Sequence, residues 1–207
     1  QALDSNYTLL YDISSNLLGT INLLEAACGA EVKRIVFASS GGTVYGIPRT
    51  LPISESHSTN PTCSYGIVKL AIEKYFALYK QLRGLDYVAL RIANPYGERQ
   101  RPEAAQGAVA VFLAKALRGE PIEIWGDGGV VRDYLYVGDV VRALLAAADY
   151  VGTESLLNIG SGYGIYKTQH PLRHGRSAGS PVPALPWAQT GEDAEPLPAG
   201  GGGRRLR

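Results

Sequence analysis

Val32-Lys33-Arg34-Ile35-Val36-Phe37-Ala38 runs directly into Ser39-Ser40-Gly41-Gly42-Thr43-Val44-Tyr45-Gly46. The first half carries an unbroken apolar run from Ile35 to Ala38. A strand with one wet face alternates apolar and polar residues, so this run predicts a buried parallel strand. The second half sets hydroxyls and glycines just past that strand. Open α/β sheets bind their ligands in loops beyond the carboxyl ends of strands. Read alone, the same residues are an ordinary Ser/Gly turn.

Working outward, helix and strand patterns alternate. Residues 12–28 place Leu17, Leu18, Ile21, Leu24, Ala27 and Cys28 at near-helical spacing, and Gly29 ends them. Residues 41–61 are rich in Gly, Pro, Ser and Thr and predict a loop. Residues 65–82 predict a second long helix stopped by Gly84, and residues 86–92 a second aliphatic strand. A loop over 94–106 leads to a third helix over 108–117, ended by Gly119. Residues 122–125 and 130–136 flank Gly126-Asp127-Gly128-Gly129, which predicts a hairpin or a longer loop. Asp139 is placed as the N-cap of a fourth helix running to residue 150, and residues 155–159 as a last strand. This order predicts an α/β fold, a mostly parallel sheet with flanking helices.

Composition bounds the function. The 207 residues carry 20 Lys+Arg against 19 Asp+Glu, and 45% are hydrophobic. That hydrophobic share supports a core and excludes global disorder. A net charge of +1 gives no global pull toward nucleic acid or an anionic membrane. No apolar run reaches the ~18 residues of a membrane-spanning helix, and residues 1–11 are too polar for a signal peptide. Cys28 and Cys63 cannot by themselves build a disulfide framework or a zinc site, so no metal is expected and both read as reduced thiols of a cytoplasmic protein. The chain lacks Met and starts at Gln1, which reads as a fragment or a processed chain.

Two further stretches carry chemistry. Tyr65-Gly66-Ile67-Val68-Lys69 puts a phenol and an ammonium at i and i+4 on one helix face. A free Tyr has a pKa of about 10, and a cation within ~4–6 Å lowers it toward a usable general base. By itself the pair is weak evidence, because 13 tyrosines supply such spacings by chance. Arg91-Ile92-Ala93-Asn94-Pro95-Tyr96-Gly97 follows the second strand, and Asn94 can offer a ligand both donor and acceptor.

In combination these motifs form a specific order: strand–Ser-Ser-Gly-Gly, Tyr-x-x-x-Lys on a helix, then strand–Asn-Pro-Tyr-Gly. In that order the sequence resembles the extended short-chain dehydrogenase/reductases, the NAD-dependent epimerase/dehydratase family. Residues 16–26, Asn16-Leu17-Leu18-Gly19-Thr20-Ile21-Asn22-Leu23-Leu24-Glu25-Ala26, resemble the family's helix before the serine strand. Residues 126–134 and Asn158-Ile159-Gly160-Ser161-Gly162 resemble its carboxyl-terminal signatures. The resemblance covers residues 12–164 and leans toward enzymes that epimerise UDP-hexoses at C4.

The resemblance implies roles. Tyr65 is the expected acid/base, and Lys69 is expected to hold the nicotinamide ribose of NAD and depress the Tyr65 pKa. Ser40 is expected to bond the hexose 4-oxygen, although counting back from Tyr45-Gly46 places that hydroxyl at Gly41 in some members. Asn16 and Ser39 are expected to face NAD, and Asn94 and Arg132 to hold the nucleotide diphosphate. A surface ion pair of Arg132 with Asp133 or Asp139 is the alternative reading. The expected partners are a UDP-hexose and, in the complete protein, a second copy as a homodimer. No nucleic acid and no membrane are expected.

The family pattern also implies parts that are not found here. Its opening strand with Gly-x-x-Gly-x-x-Gly, whose backbone N–H groups receive pyrophosphate, has no counterpart. The chain therefore reads as residues 1–106, the later part of a Rossmann-like NAD-binding domain, and residues 107–164, part of a nucleotide-sugar-binding region. Residues 165–207 hold six basic and three acidic residues, half of the twelve prolines and a Gly200–Gly203 run, and predict a disordered tail open to proteolysis at Arg173 and Arg176. The expected activity is UDP-hexose 4-epimerisation through a 4-keto sugar. A dehydratase, a reductase or a non-catalytic remnant are the alternatives. The dehydratase is disfavoured because Gly42-Thr43 stands where those enzymes carry Asp-Glu.

Overall fold

A computed structural model describes residues 9–101, 107–123 and 129–166. A helical run opens it: an α-turn at Leu9–Tyr11, a π-helical stretch at Asp12–Leu18, then α1 (Gly19–Gly29). The spacing of residues 12–28 predicts a plain α-helix, so the widened π stretch is a departure, and Asn16 lies inside it. β1 (Arg34–Ser40) follows, then α2 (Ser64–Arg83), β2 (Asp86–Ile92) and the short β3 (Asn94–Tyr96). α3 (Ala108–Leu117), β4 (Val131–Arg132), β5 (Tyr134–Tyr136), α4 (Val137–Ala148), β6 (Leu156–Ile159) and β7 (Ile165–Tyr166) complete the order.

The main sheet has the order β1-β2-β6, all parallel, with Ser39 opposite Arg91 and Arg91 opposite Asn158. Helices cover both faces. On one side Leu24 and Ala27 of α1 and Val68, Ile72, Phe76 and Tyr79 of α2 pack on Tyr87 and Ala89 of β2. Phe76 lies between Phe37 and Tyr87, with ring centroids 5.2 and 5.4 Å away. On the other side Ala143, Leu144 and Ala147 of α4 pack on Val88, Leu90 and Leu157. Amphipathic helices can bury their stripes only against such a sheet, so the layering follows from the alternating pattern.

Several expectations need correcting. β1 reaches Ser40 and so takes in both serines, because pairing with Arg91 and Ile92 continues past the apolar run. It is also half-buried along Arg34–Phe37, because it is the edge of the described sheet. Asn94–Tyr96 is a strand paired in parallel with β5, where a loop is expected. Residues 121–123 are not a strand; β4 pairs instead with β7, antiparallel, and residues 124–128 of the expected turn lie outside the described residues. Tyr136 caps α4, leaving Asp139 inside its first turn. Ile165 and Tyr166, assigned to the tail, are paired; Arg173 and Arg176 lie outside the described residues.

Candidate active site

The carboxyl end of the main sheet holds a polar core that takes in one of the expected residues, Ser39. Ser39, Arg91 and Asn158 form a row across β1, β2 and β6, and strand alternation points them to one face. Glu73 of α2 meets that row. Its carboxylate accepts two bonds from Arg91, from Nε at 3.0 Å and Nη2 at 2.6 Å, and one from the Ser39 hydroxyl at 2.5 Å. Glu73 and Arg91 are each 4% exposed. A buried charge needs such a partner, since desolvation otherwise costs several kcal/mol per ion. The Ser39 hydroxyl is thus committed to Glu73, and Ser40, next along the strand, falls on the α4 side.

Tyr65 and Lys69 share one face of α2, as their spacing predicts. The Lys69 ammonium donates to the Ala38 carbonyl at 2.8 Å and stands 4.7 Å from the Phe37 ring centroid and 5.6 Å from that of Tyr65. Both residues are half-buried. Burial pushes the Tyr65 phenol above its ordinary value, with Cys63 and Asp12 adding in the same direction. Burial also pulls the Lys69 ammonium down, against an opposing pull from Glu73. This reverses the expected direction for Tyr65. The spacing sets which groups are neighbours, but burial is the largest influence on the phenol, and the Lys69 ammonium is aimed at a backbone carbonyl.

The sequence alone gives Thr43 no role at the site. Its backbone carbonyl lies against Gly66, where a Cβ would come within 2.6 Å, so only glycine permits the approach beside Tyr65. Its hydroxyl oxygen is buried without a hydrogen-bond partner among the described residues. A buried hydroxyl of this kind needs a partner that the described residues do not supply. The glycine directly after Tyr65, Gly66, was the available sequence signal for a close neighbour at that point.

Asn16 is exposed on the π stretch, its amide 3.4 Å from the Asp12 carboxylate. Asp12 is buried and one of its oxygens lacks a partner among the described residues. π-helical turns concentrate at functional sites.

Asn94 and Arg132 meet at a second place. Both line a cavity of about 230 Å³ with Pro95, Tyr96 and Tyr134. Asn94 is fixed by its amide, which donates to the Asp133 carbonyl at 2.9 Å. Arg132 is exposed, and its guanidinium donates to the Val131 carbonyl at 2.9 Å. The carboxylates considered as its partners are engaged elsewhere. Asp139 pairs with Arg142, while Asp133 accepts from the Ser161 N–H at 3.0 Å, the Ser161 hydroxyl at 2.6 Å and the Gly162 N–H at 3.0 Å. Asp133 therefore pins the 158–162 signature to the cavity wall, a role its sequence does not announce. Among the described residues no cluster of His, Cys, Asp or Glu could hold a metal ion, and no helix is long and apolar enough to cross a membrane.

Residues 3–160 match the model of the NAD dependent epimerase/dehydratase family. The UDP-glucose 4-epimerase of Mycolicibacterium smegmatis is 41% identical over 152 residues, 73% of this chain and 49% of that protein. The dTDP-4-dehydro-6-deoxyglucose reductase of Escherichia coli is 42% identical over 157 residues, 75% of this chain and 48% of that one. A crystal structure of UDP-glucose 4-epimerase with UDP-glucose from Thermotoga maritima superposes with a TM-score of 0.79 at 40% identity, covering 81% of this chain and 54% of that one. The chain spans about half the length of the curated relatives it matches.

Proposed function

The chain belongs to the NAD dependent epimerase/dehydratase family, and from that premise we propose that it carries the catalytic part of a nucleotide-sugar 4-epimerase acting on a UDP-hexose. The observation that carries the reading is the pairing of Tyr65 with Lys69 on α2 at the carboxyl end of a parallel sheet, with the backbone of Thr43, whose hydroxyl has no partner among the described residues, packed against Gly66 next to Tyr65. A buried hydroxyl without a partner and an ammonium held beside a phenol fit the nicotinamide end of NAD with a sugar next to it. Lys69 and Asn16 would hold that end. NAD, when bound, supplies the hydride acceptor and donor.

The remaining chemistry falls to this chain's own groups. Tyr65 Oη takes the proton from the sugar 4-hydroxyl and returns it to the 4-oxygen after the ring has turned over. For that it must lose its proton in a site where burial opposes the phenolate, and Lys69, whose ammonium stands 5.6 Å from the Tyr65 ring centroid, would supply compensating charge. Thr43 supplies the hydroxyl that holds the 4-oxygen, with Ser40 as the alternative at the end of β1. Comparing Thr43→Val with Ser40→Ala separates them, since only one should lower kcat. Arg132 and Asn94 hold the diphosphate in their shared cavity, Arg132 as a charge-assisted donor.

The reductase relative supports a second reading in which the same groups return the hydride only once. Detecting a C4-inverted sugar as against a reduced one decides between them. Exposed Leu23, Ile67, Leu78 and Leu82 on the packed pair α1 and α2, with Leu18 at the end of the π stretch, support a homodimer, which light scattering would register as twice the chain mass.

The decisive experiment is Tyr65→Phe in an active polypeptide that contains this chain. Phe keeps the packing and deletes the proton-transfer group. Turnover of UDP-glucose should fall ~10²–10⁴-fold, with nucleotide-sugar binding changed by no more than a few-fold. Activity within a few-fold of the parent would remove Tyr65 from its role.

A further inference from the structure

The segment between β1 and α2 carries Thr43 near one end and leads into Tyr65 at the other. Residues 41–63 contain no helix or strand. A connection of that length without regular structure is ordinarily mobile, unless something else fixes it. Here Asn158 of β6 holds it at three points.

All three polar groups that Asn158 turns toward the segment are used. Its backbone N–H donates to the Glu55 carboxylate at 2.9 Å, its side-chain amide donates to the Ile53 carbonyl at 2.9 Å, and its amide oxygen accepts from the Tyr45 hydroxyl at 2.7 Å. The Tyr45 ring in turn lies over Arg91, with the guanidinium carbon 4.5 Å from the centroid. Arg91 and Asn158 are neighbours in register on β2 and β6, so one Tyr spans both. Tyr45 is only 2% exposed. The segment then folds onto itself. The Asn60 N–H donates to the Tyr45 carbonyl at 3.3 Å, and Gly46, at φ +70°, lies where a Cβ would come within 1.9 Å of the Asn60 carbonyl.

We propose that Asn158 is a positioning residue: it clasps the 41–63 segment through Tyr45, Ile53 and Glu55 and thereby sets Thr43 and Tyr65 relative to each other. As a contribution to catalysis this rests on the epimerase reading above; as a clasp it stands on the bonds themselves. The residue type is dictated by the geometry. An amide offers an acceptor to Tyr45 and a donor to Ile53 from two separate atoms of one small side chain. Asp has the same shape, yet it would leave the Ile53 carbonyl unpaired and set a second carboxylate beside Glu55.

The two cysteines give a local readout. Cys63 sits at the end of the segment as the residue preceding α2, and Cys28 lies in α1; both are half-buried. Labelling by a small thiol reagent, resolved by peptide mass spectrometry, compares them within one molecule. Asn158→Asp should raise the Cys63 rate ~10-fold, since the Ile53 bond is lost and the Glu55 bond weakened, and leave Cys28 within about two-fold. Tyr45→Phe, which keeps the packing and deletes one bond, should raise Cys63 by a few-fold in the same direction, and carries the test if the Asp variant fails to fold. Equal acceleration of both thiols in Tyr45→Phe would mean general loosening and would overturn the clasp, as would no change at Cys63. In an active polypeptide Asn158→Asp should lower kcat ~10-fold or more with KM for UDP-glucose within about two-fold, because Asn94 and Arg132 are untouched. A selective Cys63 response with both kcat and KM unmoved would overturn the positioning role. A parent that turns over no nucleotide sugar would instead defeat the epimerase reading, and the thiol measurement would still decide the clasp.

Discussion

The two ends of the same three-stranded sheet are both tied by an arginine–carboxylate pair, and they are tied differently. At the amino end Arg34 faces its register partner Asp86, with Nη2 at 2.6 Å, and Lys80 adds a second contact at 2.9 Å. The side chains there are 27%, 32% and 45% exposed. At the carboxyl end Glu73 and Arg91 are sealed at 3% and 4%, with Ser39 and Tyr45 completing the shell. Solvent makes the first pair worth little, with exposed pairs typically contributing ~0–1 kcal/mol. The second has no solvent to fall back on, so each member depends on the other. The expensive arrangement stands where the candidate catalytic groups emerge, and the inexpensive one at the opposite end. The sealed pair thus lies at the end of the sheet where the proposed catalytic groups sit.

The largest effect is expected from breaking the buried pair on one side. Arg91→Leu leaves the Glu73 carboxylate buried with only Ser39, and loss of one partner of a buried pair typically costs about 3–5 kcal/mol. Denaturant unfolding should register that loss, or the variant should fail to accumulate. Arg91→Leu combined with Glu73→Leu should cost less than the single variant, because no charge is stranded. If the double variant is as damaged as the sum of two singles, the pair is not the coupled unit described here.

A smaller effect separates positioning from electrostatics inside the carboxyl-end cluster. In Lys69→Met the ammonium near Tyr65 is gone while much of the stem packing on Phe37 remains. Burial already holds the phenol above its ordinary value. Losing a neighbouring cation disfavours the phenolate further, so the rising limb of the pH–rate profile should move to higher pH, by about one unit. A limb that stays in place while activity falls would confine Lys69 to holding cofactor.

The same contrast explains what could be read in advance. The helix over 65–82 and the strand over 86–92 emerge as Ser64–Arg83 and Asp86–Ile92, because each buries a periodic apolar face that the sequence displays directly. Tyr65 and Lys69 were legible for the same reason: an i, i+4 pair is a property of one helix. Ser39 was not. Its apolar run ends at Ala38, but a strand ends where its pairing ends, and pairing with β2 carries it two residues further. Its hydroxyl then meets a carboxylate 34 positions away, a contact no local pattern contains. Asp133 and Asn158 were visible only as members of signatures, since their partners come from other elements. The sign of the Tyr65 shift was also out of reach, because spacing conveys proximity and not burial.

The smallest effect is expected at the amino end. Asp86 accepts from Lys80 and Arg34, and these contacts hold its carboxyl below the usual carboxylate range, with Lys80 the larger influence and partial burial opposing. A carboxyl whose pKa is lower in the folded than in the unfolded chain stabilises the fold at pH values above its unfolded pKa. That contribution fades as pH falls toward and through the folded value, because protons then bind the unfolded chain more readily. Asp86→Asn should therefore cost about 0.2–1 kcal/mol at neutral pH, the range of exposed pairs. The difference from the parent should shrink on acidification below the ordinary carboxylate pKa. Arg34 would keep its two bonds to the Ala148 and Tyr150 carbonyls, at 3.0 and 2.6 Å, so the end of α4 stays anchored to β1. Urea titrations of parent and variant at several pH values measure both the size and the slope. A loss of several kcal/mol at neutral pH would put the amino-end cluster on a par with Glu73–Arg91. The division of the sheet into a sealed carboxyl end and a solvent-moderated amino end would then be wrong.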